Sequence, residues 1–141
     1  MPGATMGMRR TATLLVGGLF LIAAIGCGDG PCGKSEDRSV PLSEFPCAMM
    51  SGGGVWASHP FPTIEDEQCY WFEFRGCSRY AFENPLGEAP INVTGHLSFE
   101  PDGSFSTTGS GNSFVVDQVS DSEVVVRNAQ NQLFYLRLVL E

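Results

Sequence analysis

From Gly54 to Glu141 the apolar positions recur at alternate residues rather than at helical spacing. Leu97 and Phe99 alternate with Ser98 and Glu100, and the run then breaks at Pro101-Asp102-Gly103. A period of two marks a half-buried strand, and Asp-Gly flanked by such alternation marks a hairpin. Further turns are expected at Gly109-Ser110-Gly111-Asn112, at Ser120-Asp121-Ser122 and at Asn128 to Asn131. Between them, Val124 and Val126 face inward while Glu123 and Arg127 face out. The last strand, Gln132 to Leu140, places Phe134, Leu136, Leu138 and Leu140 on one face, with Tyr135 and Arg137 on the other. Strands separated by turns about every ten residues predict an antiparallel meander, completed by earlier strands near Val55 and Tyr70. The expected class is therefore all-β, a small barrel or a sandwich.

Upstream the pattern changes twice. Residues 28–53 hold three prolines and clustered glycines, which predicts an irregular tether. A short helix over Leu42 to Met50, capped by Ser43, is the alternative for part of it. Before the tether, Thr11 to Gly26 gives sixteen uncharged residues behind Arg9-Arg10. A helix of that length falls short of the ~30 Å hydrocarbon core, and no basic cluster follows to stop transfer. A positive start, a short apolar stretch and a small-residue end form the layout of an export signal. Three segments result: a cleaved signal over 1–26, a tether over 27–53 and a β domain over 54–141.

The end of the signal, Ala24-Ile25-Gly26-Cys27, resembles the lipobox of bacterial lipoproteins. Gly26 and the apolar residues before it match, whereas Ala24 stands where leucine is usual. The resemblance covers only about the first 27 residues. It implies a diacylglyceryl thioether on Cys27, usually with a third acyl chain on its amine, and a place in the bacterial cell envelope. Gly28, rather than an aspartate, follows the cysteine, which in the family favours the outer over the inner membrane. Each buried methylene contributes about 0.8 kcal/mol, so two or more chains hold a protein stably.

Charge bears on what else the chain contacts. Removing the first 26 residues leaves six basic and sixteen acidic side chains, a formal charge of −10. Such a body repels phosphate backbones and anionic headgroups, which argues against nucleic-acid binding and against electrostatic membrane attachment.

Five cysteines are an odd number for an exported chain. With Cys27 lipidated, Cys32, Cys47, Cys69 and Cys77 remain for two disulfides in an oxidising compartment. The gaps of fourteen, twenty-one and seven residues lack the close pairs of a zinc site. "CYWFEFRGC" reads largely as strand, which at about 3.3 Å per residue separates Cys69 from Cys77 by about 26 Å. Cys69 and Cys77 are then expected to reach back to Cys32 and Cys47, with the partners left open.

Gly54-Val55-Trp56, the run Phe99 to Phe105 and an arginine on the last strand resemble small lipocalin-like bacterial domains. The resemblance implies that Trp56 closes one end of a barrel against Arg137, or against Arg127. The aromatic run from Cys69 to Phe82 reads first as core. Trp71, Phe72, Phe74 and Tyr80 are also the candidate wall of an apolar ligand pocket. His59 and His96 lie outside any metal-binding spacing, and the acidic run Glu65-Asp66-Glu67 reads as a solvated loop. No nucleophile elbow, phosphate loop or dinucleotide fingerprint is present. The expectation is a non-catalytic binding module without metal or cofactor. It either holds a small apolar ligand or acts, without a cavity, as an inhibitor or accessory subunit in an envelope complex.

Overall fold

The structure, a computed structural model, describes residues 32–33, 36–62 and 66–141; the expected signal over 1–26 and Cys27 lie outside these. Ten strands follow one another: β1 (Glu36–Val40), β2 (Met49–Met50), β3 (Trp56–Ala57), β4 (Phe72–Phe74) and β5 (Ser78–Glu83) in the first part. Then come β6 (Val93–Ser98), β7 (Thr107–Thr108), β8 (Val115–Val119), β9 (Glu123–Asn128) and β10 (Phe134–Leu140). Three single 3-10 turns, Leu42–Glu44, Glu67–Cys69 and Gly111–Ser113, sit between them.

The strands form two sheets, neither closed into a barrel. One has the order β1-β5-β9-β8, and the other β2-β3-β10-β6-β7 with β4 also paired to β10. Alternation decides which side chains meet. Tyr80, Phe82, Val124 and Val126 from the first sheet join Trp56, Phe72, Phe74, Leu97, Leu136, Leu138 and Leu140 from the second in one apolar cluster. Full burial of each large side chain contributes about 1.5–3 kcal/mol relative to leaving it in water. The intervening residues Arg79 and Arg127, in register with each other, lie on the outer face of the first sheet, and Tyr135 and Arg137 lie on that of the second.

Four expectations need correcting. The meander is broken, because β9 pairs with β8 and β5 while β10 pairs with β3, β4 and β6. The chain changes sheets between Asn128 and Phe134, where a plain hairpin was expected. Residues 36–53 are more than a tether: β1 runs parallel to β5, and Val40 and Phe45 enter the core. Of the short helix expected from Leu42, only the 3-10 turn Leu42–Glu44 forms. The strand expected from Cys69 to Cys77 shrinks to Phe72–Phe74, because a turn follows in which Cys77 takes φ +58°.

Cys69 and Cys77 nonetheless reach back as expected. The bridges are Cys32–Cys77 and Cys47–Cys69, with Cα atoms 5.0 and 5.3 Å apart.

Candidate functional site

Phe72 and Phe74 belong to β4 and Tyr80 to β5, so their rings come from both sheets and meet between them. Phe72 lies 5.2 Å from Tyr80 and 5.2 Å from Phe82, centroid to centroid, and Phe74 lies 5.4 Å from Tyr80. Edge and tilted contacts at these distances are the favoured geometries of aromatic pairs. The Tyr80 hydroxyl accepts from the Arg75 amide at 3.0 Å, which satisfies its polar end. The three rings that were candidate pocket walls therefore fill one another's space.

Trp71 is separate from them. It precedes β4 and is 2% exposed, beneath Gly103 of the β6–β7 connection. Its amide donates to the Pro101 carbonyl at 2.7 Å, and Phe61 packs beside it at 6.2 Å. Gly103 has φ +77°, and a Cβ there would overlap the indole. The Asp102-Gly103 turn inferred from sequence is thus also the lid on Trp71. The Trp71 indole N–H is buried without a hydrogen-bond partner among the described residues.

Trp56 and Arg137 do not meet as the lipocalin-like resemblance implies. Trp56 pairs in register with Leu140 and packs in the core 5.7 Å from Phe45. Arg137 lies on the opposite face of β10, where its Nε donates to the His59 carbonyl at 2.8 Å and its guanidinium sits over Phe61. Burial pushes the Arg137 guanidinium below its ordinary value. Arg127, the alternative partner the resemblance implies for Trp56, pairs instead with Asp117 on the outer face of the first sheet, at 3.0 and 3.1 Å. That bond, with a second from Arg79, holds the Asp117 carboxyl below the usual carboxylate range.

A buried polar group beside Arg137 had no counterpart among the expected site residues. Ser58 and His59 follow β3, and both are buried. The Leu138 amide donates to Ser58 Oγ at 2.9 Å, and Ser58 Oγ lies 2.8 Å from His59 Nδ1. With the imidazole neutral, all three groups are satisfied when the hydroxyl donates to Nδ1. Burial, and then the nearby Arg137 charge, pushes His59 down to about 4, so it stays neutral at ordinary pH. The Ser58 amide also donates to the Leu138 carbonyl, so the pair extends the β3–β10 ladder. Its signal in the sequence was weak: a serine and a histidine before a proline read as loop. His96 lies in register with Arg137 on the outer face and is likewise lowered, first by burial and then by Arg137.

The strand directions divide the remaining features between two ends. β5 and β10 begin, and β9 finishes, at the end carrying the Cys32–Cys77 bridge. The Cys77 amide donates to the Gln130 carbonyl at 2.9 Å, and Gly76 packs against the backbone of residues 130–132. At the other end, Gly53, Gly54, Leu86, Glu88, Ala89, Pro90, Ile91 and Glu141 line a groove of about 280 Å³. Ile91 is 95% exposed at its edge, and its amide donates to the Glu141 carbonyl at 2.6 Å. Met50, in register with Trp56 at this end of β3, is also exposed. A second, open and more polar groove of about 390 Å³ runs between β1 and Arg75, bordered by Glu36, Asp37, Arg38 and Ser78.

Among the described residues no three His, Cys, Asp or Glu side chains converge as a metal site, and no helix is long and apolar enough to cross a membrane. Comparison with family models, curated proteins and solved structures finds no match to this chain.

Proposed function

We propose that the protein is a lipid-anchored, non-catalytic component of a bacterial cell envelope that works through protein contact, its two sheets packed as a sandwich with no ligand cavity between them among the described residues. The observation that carries this reading is the mutual packing of Phe72, Phe74, Tyr80 and Phe82, which takes up the space an apolar ligand would need. Apolar surface is available instead at the groove beside Ile91, with Glu88 and Glu141 among its walls. Side chains of that kind fit a partner offering an apolar residue flanked by a basic one, since complementary charge sets register and partner choice. The Ser58–His59 pair serves the fold rather than a reaction, because its hydroxyl is already engaged by a backbone amide and it lacks solvent access.

Two measurements test the reading. Native mass spectrometry of the oxidised 28–141 fragment, after exposure to a lipid-rich extract, is expected to give the bare polypeptide mass. A photo-crosslinker at position 91 in cells is expected to give a discrete protein adduct that one at Val115 does not. A stoichiometric small molecule on the fragment, with no adduct at position 91, would return the body to the apolar-ligand reading.

A further inference from the structure

We propose that the end of the body carrying the Cys32–Cys77 bridge is a membrane-facing surface, and that Phe99, Phe105 and Leu133 enter the headgroup region of the bilayer. The inference rests on lipidation of Cys27, the anchor in the proposed function, and adds to it a fixed orientation. Tether length restricts that orientation. Cys32 is five residues from Cys27 and is bridged to Cys77, where the folded body begins. Five peptide steps reach at most about 18 Å. A body of this size has a radius of gyration of about 13 Å, hence a diameter of about 35 Å. An inverted body would lift Cys32 to about 35 Å from the surface, twice what the chain can span.

The side chains at that end point to the same orientation. Gly76 and Cys77 lean on the turn before β10, whose exit residue Leu133 is 41% exposed. Phe99, just past the end of β6, is 67% exposed and packs 5.4 Å from the Phe134 ring. Phe105, in the same β6–β7 connection, is 94% exposed and holds φ +55°. A left-handed backbone favours glycine or asparagine over a large aromatic, and exposure gives this ring no core to pack in. Neither local conformation nor folding accounts for phenylalanine there, whereas an apolar wedge at a bilayer does. The groove at Ile91, at the opposite end of the strands, then points away from the membrane and toward a partner.

The test uses the full lipidated chain in vesicles of zwitterionic phosphatidylcholine brominated near the headgroup. Phe105→Trp and Ile91→Trp are compared after subtracting the parent signal of the buried Trp56 and Trp71. Quenching at position 105 is expected to exceed that at 91 by about twofold or more, as insertion of 5–10 Å requires. A flexible glycine-serine insertion of about twelve residues after Gly30, which adds about 20 Å of mean reach, is expected to shrink the difference. Equal quenching at both positions, with the lipid on Cys27 verified by mass, overturns the orientation and leaves the anchor standing. An unmodified Cys27 overturns both.

Discussion

Burial, more than any neighbour, holds the His59 imidazole near 4 in the folded chain, against about 6.5 when it is unfolded. A folded value below the unfolded one means that the unfolded state binds the extra proton first. The neutral pair with Ser58 is therefore fully stabilising above about pH 6.5, loses stability as pH falls, and levels off below about pH 4. Across that window the loss is about 3 kcal/mol. Urea denaturation of wild type and His59→Gln at pH 7 and pH 4 is expected to show the gap between them narrowing by about that amount; an unchanged gap would contradict a buried neutral histidine. Gly95 makes a different residue-level demand. Midway along β6, its missing Cβ leaves room for the Phe114 ring, which any side chain would overlap. Gly95→Ala is expected to cost about 2 kcal/mol by overpacking, read as a lower denaturation midpoint at an unchanged slope. Neither residue advertised its role, since the sequence carries no sign of which distant ring or amide will arrive beside it.

At the level of elements, alternation located faces well and neighbours poorly. The inward set Phe134, Leu136, Leu138 and Leu140 is buried as the period of two requires, and Arg137 points the other way. A period of two says nothing about which strand lies alongside, so the meander was inferred across a point where the chain in fact changes sheets. β1 was invisible for a physical reason: its first four residues, Glu36 to Ser39, are all exposed at a sheet edge, and only Val40 is buried. Hydrogen bonds to β5 and the Cys32–Cys77 bridge hold it, and neither leaves an apolar pattern. The candidate site was legible in the same partial way. The aromatic run was found, but only the fold reveals that its rings from two sheets fill one another's space. The bridges close 45 and 22 residues of sequence, and loop closure assigns them about 4 and about 3 kcal/mol. Replacing Cys32 and Cys77 together by serine is therefore expected to destabilise more than replacing Cys47 and Cys69. The reverse order in guanidinium titrations would locate the dominant constraint in the second bridge.

At the scale of the whole molecule, charge and attachment pull in opposite directions. Residues 27–141 carry a formal charge of −10 that anionic lipid repels, so the proposed attachment relies on acyl chains on Cys27 and on apolar side chains at the bridged end. Membrane association is accordingly expected to survive high salt, where screening removes electrostatic contacts, and release by salt in a flotation assay would contradict it. In the proposed orientation the Ile91 groove serves partners and the Phe105 loop lipid, two opposite ends of one small domain with separate roles. All of this depends on one covalent modification. The most direct test is incorporation of labelled palmitate in bacterial cells expressing the full chain, followed by mass analysis of the amino-terminal peptide. Lipid anchoring predicts label in the wild type, a mature chain beginning at Cys27 with a diacylglyceryl thioether, and no label in Cys27→Ser. Equal labelling of the two, or a mature chain with an unmodified Cys27, would contradict it.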